Sequence, residues 1–266
     1  FLHACTYNQV QLVCSPLQKK DSGFEIDFDD FDKKASDPDV KMLMLCNPHN
    51  PTGRVWTEAE LQHIAQTCEK HGLWIVSDEI HCDLLRTGLK HIPMGKIMPD
   101  YDRLVTCMSA SKTFNLAGLC FSDIIIRNAE ERKRFISRDK TRSAINPLSL
   151  AAHQAAYQEG SQWLNELKAY LDGNLNFVKE FLEVNIPSAS FRMPEATYFS
   201  WVDFSKTLPG AGDLSLFFAN NAGVLLEGGN SLFVGNAEGY VRLNLAMPKA
   251  MVKLGMERIA EAVSSS

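Results

Sequence analysis

Apolar residues in the first half of the chain fall into short solid blocks, separated by stretches in which they recur every third or fourth position. VKMLML (40–45), LWIV (73–76), RLVTCM (103–108) and SDIIIR (122–127) are such blocks, each of strand length. Between the first two, Leu61, Ile64, Ala65 and Cys68 repeat at i, i+3, i+4 and i+7, which predicts an amphipathic helix. Thr57 and Glu60 are spaced for a capping box at its start, and Gly72 is placed to close it. A charged helix is predicted near 129–140, with EERKR (130–134) as a solvated face. Buried strands alternating with helices imply parallel pairing through crossovers.

From about residue 146 the texture changes. Residues 149–185 read as one or two long helices, with Gly160 as the break, Ser161 as a cap, and Trp163, Phe177 and Phe181 on the buried side. FRMPEATYFSWVDF (191–204) alternates like a strand, GDLSLFFANNAG (212–223) reads as a short helix, and VLLEGG (224–229) and YVRLNLAM (240–247) as strands. Gly228 and Gly229 read as a tight turn. A closing helix begins at Pro248. The expected architecture is α/β: a large domain over 1–145 with a mainly parallel sheet, and a smaller α+β domain over 146–266 that begins with the long helix.

Composition narrows the function. The chain has 266 residues, with 27 Lys plus Arg against 32 Asp plus Glu and a net charge of −5. That mild acidity argues against a nucleic-acid partner, which needs a basic face to release counterions. No apolar run approaches the ~18 residues of a membrane span, so no membrane role is expected. The seven cysteines (5, 14, 46, 68, 82, 107 and 120) are odd in number and include no CxxC pair. That pattern suits free thiols in a reducing cytoplasm rather than a disulfide scaffold. The chain opens on Phe1 within FLHACTYNQVQLV, which reads as a sequence continued upstream.

Three polar groups stand just beyond the ends of predicted strands, where an open α/β sheet binds its ligands. The first is Asn47-Pro48-His49-Asn50-Pro51-Thr52-Gly53, whose prolines and glycine make either a rigid turn or a platform for a small polar side chain. The second is Ser77-Asp78-Glu79-Ile80-His81, in which Asp78 is either a turn cap or a carboxylate placed to hold a cation. His81, Cys82 and Asp83 have metal-ligand side chains, but consecutive residues converge poorly on one ion and no metal is expected. The third is Ser109-Ala110-Ser111-Lys112, where partial burial would lower the pKa of an amine able to form a Schiff base. Late in the chain, Arg242 interrupts an apolar strand and needs an anion, either a structural acid or a substrate carboxylate.

In this order, NPHNPTG, the Asp after a strand, the S-x-S-K lysine and the late strand arginine resemble the fold type I pyridoxal-phosphate enzymes of the class I/II aminotransferase superfamily. LCNPHNPTGRVWT, VSDEIH, SKTFNLAGL and RLNLAMP resemble, more closely, its cystathionine β-lyase-type C–S lyases (the MalY/PatB group), over essentially the whole chain. The resemblance implies that Lys112 joins the aldehyde of pyridoxal 5'-phosphate and later acts as general base. Asp78 would keep the pyridine nitrogen protonated, Asn50 would bond the ring's phenolic oxygen, and His81 would lie near the ring. Ser109 and Ser111 would contact the phosphate, and Arg242 the α-carboxylate of a small amino-acid substrate.

The expected reaction is α,β-elimination from cystathionine or another cysteine S-conjugate, giving a thiol, pyruvate and ammonia. Amino-group transfer and a cofactor-binding regulatory role are the alternatives. Two departures favour the lyase group: His81 stands where many aminotransferases carry tyrosine, and Cys120 where they carry a phosphate-binding arginine. Ala196 stands where the family usually has Gly, and Lys249 where Arg is common. The resemblance further implies a homodimer. It also implies an upstream stretch absent here, with a phosphate-cradling turn and a ring-stacking aromatic, so weakened cofactor binding is expected without it.

Overall fold

The computed structural model describes residues 1–21, 23–138, 145–229, 233 and 235–266. By compactness the chain divides into a unit of residues 28–50 and 55–167, and a unit of residues 1–27, 51–54 and 168–266.

In chain order the first elements are α1 (Leu2–Tyr7) and an antiparallel hairpin of β1 (Gln18–Lys20) and β2 (Gly23–Glu25), followed by α2 (Phe28–Ala35). The 28–167 unit then carries a four-stranded sheet made of β3 (Met42–Cys46), β4 (Trp74–Asp78), β5 (Leu104–Met108) and β6 (Asp123–Ile126). β3, β4 and β5 are parallel, as their apolar sequences require when helices cross over between them. The crossover from β3 to β4 is α3 (Glu58–His71). Thr57 Oγ1 accepts from the Glu60 N–H while the Glu60 carboxylate accepts from the Thr57 N–H, and Gly72 ends the helix at φ 65°. Leu61, Ile64, Ala65 and Cys68 are its buried face.

β6 departs from the parallel rule and runs antiparallel to β5. The segment between them holds only the helical turn α5 (Ala110–Thr113) and a 3₁₀ turn at Ala117–Leu119, too little for a crossover that restores direction. The short α4 (Met94–Ile97) precedes β5, and α6 (Ala129–Arg138) follows β6. α6 exposes its charges, pairing Glu130 with Lys133 and Glu131 with Arg134. The expected helix continues to 140, and its last two residues lie outside the described ones.

The expected 149–185 run is two helices parted at Gly160: α7 (Pro147–Glu159), capped by the Asn146 side chain, and α8 (Ser161–Asn185). The compact units do not part at 145/146. α7 belongs with the parallel sheet, where Ser149 Oγ donates to Leu119 O and Tyr157 Oη lies 3.4 Å from the Asp83 carboxylate. Trp163 is not buried. It is 46% exposed and stacks on Phe114 with centroids 5.8 Å apart.

The other unit is built on an antiparallel sheet in the order β7 (Ser190–Phe191), β8 (Phe199–Asp203), β10 (Tyr240–Asn244), β9 (Glu227–Gly228). Its strands are shorter than their apolar patterns, because the loop before β8 holds Thr197 at φ 73° and only two residues of VLLEGG pair with β10. α9 (Leu214–Ala222), α10 (Lys249–Ser264) and the second half of α8 cover one face. Val202, Phe204, Phe218, Val241, Leu243, Met256 and Ile259 form that core, with Phe177 and Phe181 partly buried against it. The β1–β2 hairpin joins this unit through Lys19, which pairs with Asp203 at 2.5 Å, and Phe24, edge-on to Tyr240.

Candidate functional site

Parallel strands end on the same side of a sheet. β3, β4 and β5 are in register as Cys46, Asp78 and Cys107, so the polar segments that follow them share one edge. Asn50, Asp78, His81, Ser109, Ser111 and Lys112 are all carried by these segments, within one compact unit.

Asp78 is the last residue of β4, and its Oδ1 accepts from the Ile80 N–H at 3.2 Å. Burial raises its pKa above the usual carboxylate range, while the Ile80 N–H and the nearby charge of Lys112 pull the other way. The strands on either side present thiols. Burial and the Asp78 charge push Cys46 up to about 12, and the same two causes raise Cys107. Asp78 therefore sits between two neutral, weakly polar neighbours, a setting in which a cationic partner gains strongly.

Lys112 is half-buried on α5. Ser109 caps that turn: its Oγ accepts from the Ser111 N–H and lies 2.7 Å from both Ser111 Oγ and Phe121 O. The single Ser109 proton can serve only one of those two neighbours at a time, so Ser109 mainly fixes the backbone of the turn. Thr113, fully buried beside the lysine, donates to Asp83 Oδ2 at 2.9 Å. Asp83 lies in the turn that begins at Asp78, so one short segment holds both the acid and the tether of the lysine's helix.

The SDEIH acids divide their work. Glu79 is buried and faces the fold, accepting from Ser77 Oγ (2.9 Å) and the Met94 N–H (3.0 Å) and pairing with His91 Nε2 (2.7 Å). His81 is buried in the same turn. Asn47 is likewise structural, its Nδ2 donating to Ile92 O at 3.2 Å, while Asn50 is half-buried. The end of the NPHNPTG motif serves the second unit. Gly53, at φ 71°, lies so close to Pro194 and the Ala196 carbonyl that a Cβ would collide with them. Its own carbonyl accepts from the Ala196 N–H at 2.9 Å.

Arg242 lies in that second unit, in the middle of β10. The structural-acid alternative is realised: its Nε and Nη2 both donate to Glu227 Oε2, with the Nε bond at 2.5 Å. The guanidinium also covers the Phe199 ring at 3.9 Å. Nothing in the sequence marks Glu227 as this partner, nor Asp83 as the partner of Thr113.

The cofactor implied by the resemblance needs an acid for its ring nitrogen, an amine for its aldehyde and donors for its oxygens. Asp78, Lys112, and Ser111 with Asn50 are of those chemical types on one sheet edge, so the residues fit the group. Among the described residues, no group of three or more His, Cys, Asp or Glu could hold a metal ion, and no helix is long and apolar enough to cross a membrane.

Residues 1–259 match the family described as aminotransferase class I and II. The chain belongs to this family. Among its curated members, cystathionine beta-lyase PatB of Bacillus subtilis is 38% identical over 99% of this chain and 69% of its own length. Among solved structures, the PLP-bound C-S lyase of Staphylococcus hominis, in complex with L-cycloserine, is 46% identical with a TM-score of 0.94, covering 99% of this chain and 65% of that one. Cystalysin of Treponema denticola, which contains pyridoxal 5'-phosphate, is 34% identical with a TM-score of 0.94, over 100% of this chain and 68% of that one. The chain thus spans about two thirds of the length of these family members.

All seven cysteines are thiols rather than disulfides, and their environments differ. Burial, reinforced by nearby carboxylates, pushes Cys46, Cys68 and Cys82 up to about 12, whereas Cys120 is exposed. Brief iodoacetamide treatment of the folded protein at about pH 8 is expected to modify Cys120 first and to spare Cys46, Cys68 and Cys82 until unfolding. Peptide mass spectrometry reads the order.

Proposed function

We propose that this chain forms the greater part of a pyridoxal-phosphate-dependent C–S lyase acting on cystathionine or related cysteine S-conjugates. The observation that carries the reading is the placement of Asp78 within electrostatic reach of Lys112, at the shared carboxyl edge of three parallel strands. When bound, pyridoxal phosphate supplies an electron sink for the pair left at an amino acid's α-carbon. Asp78 would accept the hydrogen bond of the ring N–H and keep that proton in place. Lys112 would hold the aldehyde, and its amine would serve as the general base for the α-proton. Ser111 and Asn50 would hold the phosphate and the ring oxygen, with Ser109 fixing the backbone of that turn and His81 near the ring. Arg242 takes the substrate α-carboxylate. Loss of a thiolate from the β-carbon, followed by hydrolysis, balances as S-conjugate plus water giving thiol, pyruvate and ammonia.

By the same resemblance the protein works as a homodimer, and its cysteine pattern suits a reducing cytoplasm. Cystathionine, S-alkyl cysteines, alanine and aspartate, each with and without a 2-oxo acid, test the reaction class in the cofactor-loaded protein. Equimolar pyruvate and thiol from the sulfur substrates alone is the expected result. Amino-group transfer without thiol release would assign an aminotransferase, and cofactor absorbance without turnover a binding role.

A further inference from the structure

The anion that neutralises Arg242 is held less firmly than the arginine. Arg242 is 9% exposed, sits in a central strand, and has Phe199 and Phe233 within 3.9 and 5.2 Å of its guanidinium carbon. Glu227 is 49% exposed and stands on an edge strand of two residues, which pairs with the sheet through Gly228–Val241 and Glu227–Arg242. The sheet's other ion pair has the opposite bias: Asp203 is the buried partner and Lys19 the exposed one. A buried cation in aromatic surroundings requires an anion at all times, whereas a half-exposed carboxylate regains water when it swings away. Glu227 also occupies the Nε–Nη2 edge, one of the two that a carboxylate grips with paired oxygens.

We propose that Glu227 is an exchangeable internal carboxylate, holding Arg242 in place in the absence of substrate and yielding the Nε–Nη2 edge to the α-carboxylate of an incoming amino acid. This rests on the reading of Arg242 as the substrate-carboxylate residue. Exchange keeps the guanidinium neutralised and oriented throughout, and it sets apparent affinity by the difference between two carboxylates. An amino acid lacking its carboxylate has nothing to offer in exchange.

The test compares wild type, Glu227→Gln and Arg242→Ala, each loaded with pyridoxal phosphate. L-alanine is the probe, and L-alaninamide the control without a carboxylate. Calorimetry gives affinity, and thermal unfolding reports the state of Arg242. Glu227→Gln is expected to unfold at lower temperature without ligand, to bind L-alanine on the order of tenfold more tightly because competition is removed, and to gain more thermal stability from it. L-alaninamide binding should not change. Unchanged or weaker L-alanine binding in Glu227→Gln, with binding lost in Arg242→Ala, would overturn the exchange and make Glu227 a fixed orienting partner. Undiminished L-alanine binding in Arg242→Ala would instead overturn the reading of Arg242 itself.

Discussion

Replacing Lys112 with alanine is expected to abolish covalent attachment of pyridoxal phosphate and to stop turnover, with loss of the general base alone lowering the rate by about 10²–10⁴-fold. The fold should survive. Lys112 is half-exposed, and its helical turn is held by Ser109 and Thr113 rather than by the lysine amine. Borohydride reduction followed by peptide mass spectrometry should find the cofactor on the Lys112 peptide of the wild type and nowhere in the variant. Residual turnover in a fully folded Lys112→Ala protein would remove this amine from the chemistry.

Replacing Asp78 with asparagine is expected to act in opposite directions on stability and activity. Burial raises the Asp78 pKa in the fold. A carboxyl with a raised folded pKa supports the fold most when protonated. That support is full below the ordinary carboxylate value and is lost as pH climbs from there through the raised one, so at neutral pH the charge opposes folding. Asparagine removes the charge, and the cofactor-free variant should melt at higher temperature than the wild type above the carboxyl's titration range, the difference closing at acid pH. In the loaded protein the same charge is the partner of a cation. Removing one member of a buried pair costs about 3–5 kcal/mol, so turnover should fall by about 100- to 5,000-fold. A melting series across pH and steady-state rates on one preparation check both. A variant that lost stability at neutral pH while retaining its rate would place Asp78 in the scaffold instead.

Both residues were legible before any coordinates, because each follows a solid apolar block and the ends of parallel blocks share an edge. Their supports were not. Asp83 reads from sequence as a candidate metal-ligand type, yet its carboxylate bonds Thr113, thirty residues on. Glu79 follows Asp78 directly, and its carboxylate is taken by His91 and the Met94 N–H. Trp163 fits an apolar helix face, but it is 46% exposed and stacks on Phe114.

The amino-acid sequence by itself determined where the strands of the parallel sheet and the longer helices lie, where Thr57 and Gly72 begin and end a helix, and which side chains follow the strand ends, because these depend on neighbours within a few positions. Tertiary structure alone decided the antiparallel turn of β6, the docking of Gly53 against residues 194–196, and the register that sets Glu227 opposite Arg242. Those are contacts between residues far apart in the chain. Hydrophobic period and capping carry no information about which distant residue will complete them, so the chemical groups could be read in advance and their partners could not.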